Sequence, residues 1–203
     1  MSDTPEKNNE LADKEKKKSA FVKALKGLFV IFVLMMIVGH FAKDDKTTDD
    51  PTAPFETRIA SIDERITKVD IWPQADGSRV IYIFYDPKIV LKPVYTIGME
   101  TQKIAEKVVK RNIVDANTHL LFFVHVPTQD KYGNKGKSLG MKILWAGQTL
   151  TQINWSNMHA PGWLNLASSV ELRPVMHQSF NEFAMDPDYQ QQCPNFIRLA
   201  LQR

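Results

Sequence analysis

Residues 79–85 read Arg-Val-Ile-Tyr-Ile-Phe-Tyr, and this stretch decides the fold. From Val80 to Tyr85 every side chain is apolar or aromatic, which is typical of a central strand in a sheet covered on both faces. Residues 67–72, just before it, alternate apolar and polar side chains. Asp76-Gly77 lies between the two segments and is a strong turn signal. We therefore predict a β-hairpin.

A helix and a second pair of strands follow this hairpin. Residues 92–98 contain Pro93 and Gly98 and are predicted to be a connection. Residues 99–113 show helical periodicity, with Glu106 and Lys110 in favourable i,i+4 order on the polar face. Strands are predicted at 120–126 and 139–145, joined by a polar loop that projects because it is long for a hairpin. The order strand, strand, helix, strand, strand predicts an α+β domain with a mainly antiparallel sheet.

The flanking segments are less regular. Residues 56–66 fit a short helix that leads into the first strand. Residues 148–155 and 195–201 each fit a short helix or a strand. Residues 175–183 fit a helix whose first turn follows Pro174.

The N-terminal part predicts a membrane anchor. Residues 27–42 carry no formal charge, but at ~1.5 Å per residue they span only about 24 Å of the ~30 Å hydrocarbon core. The helix crosses if it begins at Phe21 and if Lys23 and Lys26 extend their ammonium groups to the interface. We predict a single-pass helix at 21–42, a cytoplasmic tail at 1–20, a spacer at 43–56 and an extracytoplasmic domain at 57–203.

Lysine asymmetry sets the direction of this helix. Lysines are frequent before the apolar run, whereas aspartates outnumber lysines between 43 and 50. Because lysines are retained on the cytoplasmic side, the N-terminus is predicted inside a bacterial inner membrane, with the domain periplasmic or extracellular. A cleaved signal peptide is the alternative, but Ala42 and Gly39 lack a small residue two positions before them. A buried helix of a soluble protein rarely lacks a polar face over such a length.

Composition and motifs exclude several classes of chemistry. The net charge is +3, but no cluster of cations appears after residue 50, so nucleic-acid binding is not expected. Gly133 and Gly136 lie in a polar loop and not in a phosphate-binding turn, so no cofactor is predicted. Cys193 is the single cysteine, and it is predicted to be a buried apolar side chain or, alternatively, a thiol bonded to another chain.

The histidines do not predict a metal site. His119 and His125 share a strand face but lie about 20 Å apart, too far to share an ion. His159 and His177 have no neighbouring ligand pair in the sequence. We therefore predict no catalytic, cofactor-binding or metal-binding residue.

Two further features bear on function. Trp155, Met158 and Trp163 surround a Pro-Gly loop, which predicts either a contact surface for a partner or, with more weight, core packing. An anchored domain without a catalytic signature is typical of subunits of envelope-spanning assemblies, of the secretion or conjugation type. The leading hypothesis is therefore an interaction subunit, and not an enzyme.

Its predicted partners are the lipid bilayer and other envelope or membrane proteins, with an oligomer as an open option. One alternative is an extracytoplasmic enzyme or ligand-binding protein with a site assembled from His125, His177 and Asp186. Another is an exclusion or inhibitor protein.

Overall fold

The computed structural model describes residues 49–89 and 92–202. The predicted membrane helix at 21–42, the tail at 1–20 and the first part of the spacer lie outside these residues. None of the helices within the described ranges is long and apolar enough to cross a membrane. The anchor stays a prediction. Within the spacer, Asp49 pairs with Arg58 at 2.7 Å between Oδ2 and Nη2, so its last residues contact the folded domain.

A five-stranded mixed sheet forms the centre of the domain. Its strands are β1 (Ile66–Pro73), β2 (Arg79–Tyr85), β3 (Thr118–Gln129), β4 (Lys135–Trp145) and β5 (Ser169–Leu172), and they lie side by side in sequence order. Neighbouring strands are antiparallel except β2 and β3, which are parallel. The predicted α+β class is confirmed, and the sheet is mixed.

Helices cover one face of this sheet. They are α1 (Phe55–Ala60), α2 (Pro93–Lys110), α3 (Gly147–Gln152), α4 (Ala160–Asn165), α5 (His177–Met185), α6 (Pro187–Gln192) and α7 (Pro194–Leu201), with 3-10 turns at Trp155–Asn157 and Pro174–Met176. Their apolar side chains pack with alternate residues of the strands, such as Ile81, Ile83 and Phe122, in one core. The central strand pair is joined through α2, because parallel strands require such a crossover.

The first hairpin confirms its prediction. Its turn is closed by a hydrogen bond from the Gln74 N–H to the Ser78 carbonyl, with 2.8 Å between nitrogen and oxygen. Gly77 has a φ of 83°, a left-handed conformation that glycine adopts without steric cost. The carboxylate of Asp76 accepts hydrogen bonds from the backbone and the hydroxyl of Ser78. Asp-Gly therefore supplies the turn chemistry that fixes the register of β1 on β2.

The predicted connection at 92–98 is wrong, because α2 already begins at Pro93. Proline suits the first helical position, where its missing N–H has no intrahelical partner. Gly98 lies inside the helix, and a Cβ there would be 2.8 Å from Leu164 Cδ1. The glycine thus allows α2 to approach α4 closely. Both residues that signalled a break serve the helix instead.

The second hairpin also differs from its prediction. Gly136 and Lys137 are paired with Thr128 and Pro127 in the ladder of β3 and β4, so the loop is confined to residues 130–134. Asp130 closes it by accepting hydrogen bonds from the backbone N–H groups of Tyr132 and Asn134. The projecting segment therefore consists of the hydrogen-bonded ends of β3 and β4, and a short loop closes it. Strand β5 was not predicted.

A polar network ties the end of β2 to α2. Tyr85 is completely buried and donates from its hydroxyl to Glu100 Oε2 at 2.7 Å. Glu100 Oε1 accepts from Arg65 Nη1, and Arg65 also binds Asp63. Burial raises the pKa of the Tyr85 hydroxyl far above its usual value of 10.0, and the hydrogen bond with Glu100 adds to this rise.

This network predicts a pH-dependent effect of Tyr85→Phe. The variant should lose about 1–3 kcal/mol of unfolding free energy at pH 8, because Glu100 loses a buried donor. Above pH 10 the unfolded wild-type chain releases the Tyr85 proton while the folded chain keeps it, so wild-type stability falls as pH rises. The phenylalanine variant lacks this loss, and the difference between the two proteins should shrink. Urea denaturation of the full chain between pH 8 and pH 11 measures it.

Tyr132→Phe is the matched control, since the Tyr132 side chain is 77% exposed. This variant should follow the wild type at every pH. A constant difference between wild type and Tyr85→Phe across the range would contradict the assignment of the buried hydroxyl.

Candidate functional site

The second face of the sheet is not covered by any helix within the described residues. We call it the open face, and it comprises Lys68, Asp70, Trp72, Val80, Tyr82, Phe84, His119, Leu121, Phe123, His125, Lys142, Leu144, Ser169 and Glu171. None of these residues belongs to the buried core. The sequence predicted a cover on both faces of β2, and the described helices supply only one.

Direct strand pairing arranges the open face in rows across the sheet. One row is Lys68, Phe84, Phe123, Lys142 and Glu171, one residue from each strand in order. The next row is Asp70, Tyr82, Leu121, Leu144 and Ser169. In both rows the middle positions are apolar or aromatic and the outer positions are polar, apart from Lys142.

Four aromatic rings form a continuous ladder on this face. Phe84 stacks on Phe123 with ring centroids 4.6 Å apart, and Tyr82 meets Phe123 edge-on at 5.6 Å. Trp72 stacks on Tyr82 at 6.3 Å and is 56% exposed. We call Trp72, Tyr82, Phe84 and Phe123 the aromatic ladder. Its rings contact one another and remain accessible from outside.

Lysines with acidic partners flank the ladder on both sides. The ammonium group of Lys68 lies 5.2 Å from the Phe84 ring centroid and 2.5 Å from Asp70 Oδ2. That of Lys142 lies 5.5 Å from the Phe123 centroid and 2.7 Å from Glu171 Oε2. The hydrogen bond from Lys142 lowers the pKa of Glu171.

Each of these two cations is therefore paired with an acid, so the face does not present the unpaired basic stripe that phosphates require. An apolar centre with a polar, charge-balanced rim is the anatomy of a protein–protein interface.

The aromatic residues singled out in the sequence lie elsewhere. Trp163 is completely buried, stacks on Trp145 with centroids 4.1 Å apart, and donates from Nε1 to Thr101 Oγ1 at 3.0 Å. Trp155 and Met158 are half-buried and pack against the core. Core packing is confirmed for Trp163. A partner contact at this cluster stays a prediction. Of the three residues, only Trp155 and Met158 have exposed surface for such a contact.

The residues of the alternative enzyme site occupy three different places. His125 lies on the open face, 6.2 Å from the Phe84 ring and 3.8 Å from Asp86. His177 lines a cavity of about 380 Å³ between β5, α5 and α7. Asp186 lines another cavity, of about 150 Å³, beside α2 and α6. The structure does not bring the three together.

The described histidines and acids form no group that could hold a metal ion. His159 has a structural role, because its Nδ1 accepts a hydrogen bond from Gly162 N at the start of α4.

Cys193 gives a simple test of burial. Its side chain is completely buried and its Sγ donates to the Tyr189 carbonyl at 3.0 Å. Burial raises the pKa of the thiol to about 11. Since the thiolate is the reactive form, we expect no reaction of the native chain with an aromatic disulfide reagent at pH 8 and one reacting thiol in urea. Rapid stoichiometric labelling of the native chain would contradict this placement.

The open face could have been anticipated from one signal. A single amphipathic helix was predicted between the two strand pairs, and one helix layer covers one face of a sheet only. The aromatic residues of β2 and β3 that point away from that layer, Tyr82, Phe84 and Phe123, were instead assigned to a doubly covered sheet.

No protein-family model, no curated protein and no solved structure matches this chain.

Proposed function

We propose that this chain is a membrane-anchored interaction subunit whose folded domain docks a protein through the open face. The observation that carries the proposal is the aromatic ladder on a sheet face that the described helices leave uncovered. Exposed apolar patches with polar rims mark interaction sites, and aromatic residues are enriched in them.

The sequence supplies the setting for this proposal. The predicted helix at 21–42, with lysines before it and aspartates after it, would hold the domain at the outer surface of a bacterial inner membrane. Envelope-spanning assemblies of the secretion or conjugation type, built from membrane and envelope proteins, are the proposed context. An exclusion or inhibitor protein would use the same docking surface.

Phe123→Ser tests the proposal, because Phe123 contacts both Phe84 and Tyr82 at the centre of the ladder. The full chain is extracted from membranes in a mild detergent, and the mass of its complex is measured by native electrophoresis and light scattering. The wild type should migrate in a complex larger than one chain, and Phe123→Ser should reduce that complex strongly.

The matched control is Tyr132→Ser, which removes an exposed aromatic ring at the end of the second hairpin, away from the open face. This variant should keep the wild-type complex. Recovery of the wild type as a single chain, or equal loss in both variants, would overturn the proposal. Circular dichroism of each variant verifies that the domain remains folded.

A further inference from the structure

We infer that the open face docks a second copy of this chain, packed sheet against sheet about a two-fold axis that runs along the strands. The inference rests on the proposed function, since it names the partner of the same surface. Two sheets that pack face to face lie about 10 Å apart with their strands within about 30° of each other.

If this axis passes through β3, the strands of the second sheet lie over those of the first in reverse order. Strand β1 then lies over β5 of the second copy, β2 over β4, and β3 over β3. In the first row, Lys68 faces the partner subunit's Glu171 and Phe123 faces the partner subunit's Phe123. An acid and a base therefore oppose each other at both ends of the row.

The remaining positions also match in chemistry. Phe84 faces the partner subunit's Lys142, which repeats between copies the contact that Lys142 already makes with Phe123 inside one chain. In the second row, Tyr82 faces the partner subunit's Leu144, and Leu121 faces its own counterpart. Apolar groups thus oppose apolar groups at the centre, as an interface with two-fold symmetry requires.

The alternative axis, across the strands, does not give this match. With this axis, each strand would lie over the same strand of the second copy. If the axis follows the first row, Lys68 would face Lys68 and Glu171 would face Glu171. If it follows the second row, Asp70 would face Asp70. Like charges opposite each other weaken an interface. Charge complementarity therefore selects the axis along the strands.

The size of the open face bears on the choice of experiment. The outer strands are about 19 Å apart at ~4.8 Å per strand. The seven residues of β2 are about 23 Å long at ~3.3 Å per residue. A face of about 19 by 23 Å buries about 900 Å² in total between two copies, at the lower end of specific interfaces. The register is therefore tested in the membrane with the full chain, where the two copies are held at a high local concentration.

Disulfide cross-linking between two positions tests the register. Two differently tagged full-length chains, one with Lys68→Cys and one with Glu171→Cys, are produced together, and their membranes are treated with a bis-methanethiosulfonate reagent that spans about 10 Å, because a direct disulfide needs Cα atoms within about 7 Å. The mixed disulfide-linked dimer should form at least several-fold more than the Lys68→Cys homodimer, whose cysteines would lie about 21 Å apart, with about 19 Å along the sheet and about 10 Å between the sheets. The native Cys193 is buried and does not compete. Equal or absent cross-linking in both pairs would overturn the inference.

Maleimide labelling of Leu121→Cys separates this inference from the proposed function. Leu121 lies on the axis, and its cysteine should label more slowly in membranes than in a dissociating detergent, with Tyr132→Cys as the freely labelled control. Protection together with the mixed disulfide supports both proposals. Protection without any disulfide keeps a docking face but overturns the second copy as its occupant. Equal labelling in both media overturns both.

Charge reversal provides an independent readout. Lys68→Glu alone should reduce the cross-linked fraction of a Leu121→Cys reporter, because it sets two acids against each other at each end of the row. Glu171→Lys alone should do the same with two bases. The two changes in one chain should restore cross-linking. If Lys68→Glu acted only by breaking the Lys68–Asp70 contact within the chain, Glu171→Lys would not repair that loss. Failure of the rescue would contradict the register.

Discussion

Replacing Gly147 with alanine should unfold the domain or cost it more than about 4 kcal/mol of unfolding free energy. A Cβ at this position would lie 2.5–2.6 Å from the carbonyl oxygens of Asp115, Ala116 and Thr118. These are backbone atoms of the turn before β3 and of its first residue, so no change of side-chain rotamer relieves the clash. Urea denaturation of the purified full chain, followed by circular dichroism, should show a much lower midpoint or no cooperative transition.

Gly136→Ala is the matched control for this substitution. The nearest atom to its added Cβ is Thr128 Oγ1 at 3.5 Å, an ordinary contact. We expect its unfolding midpoint to stay close to the wild-type value. A wild-type midpoint for Gly147→Ala would mean that α3 does not start against residues 115–118 as described.

Trp163→Ala is expected to cost about 3–5 kcal/mol, the usual range for removing a large buried aromatic side chain. The substitution would empty the space beside Trp145, remove a stacked ring pair and take one donor from the Thr101 hydroxyl. Urea denaturation followed by circular dichroism measures the loss without depending on tryptophan fluorescence.

Trp72→Ala is the contrasting variant, because Trp72 is 56% exposed and lies on the open face. Trp72→Ala should change the unfolding free energy by less than about 1 kcal/mol, but it should weaken the complex. Trp163→Ala should lower the unfolding free energy, but it should keep the complex when the two variants are compared at the same folded fraction. If Trp163→Ala left stability unchanged and abolished the complex, Trp163 would be a partner contact and not a core residue.

The sequence predicted those parts of the fold whose signals are local. The Asp76-Gly77 turn and the run from Val80 to Tyr85 gave the first hairpin, because the turn chemistry and the strand periodicity lie within a few neighbouring residues. The α2 face was also recognised, but its start was missed. Gly98 is explained only by Leu164 on α4, a contact that is distant in sequence.

The candidate site was less accessible to sequence reasoning. Aromatic residues next to a Pro-Gly loop left a contact surface open beside the favoured core packing, and Trp163 is buried. Aromatic residues in an apolar strand suggested a core, yet Tyr82 and Phe123 lie on the open face. A strand that is apolar on both sides indicates that both sides become covered. It does not state whether the second cover is a helix of the same chain or another molecule. Strand β5 escaped notice because four residues carry little periodicity.

The parallel seam between β2 and β3 has a consequence for the order of folding. Each hairpin, β1–β2 and β3–β4, joins strands that are close in sequence, so each closes a short loop and forms early. The seam forms only when the crossover through α2 has docked, because it brings together residues such as Ile83 and Phe122 that are far apart in the chain. We expect substitutions at this seam to slow refolding, and those in the C-terminal helices mainly to speed unfolding.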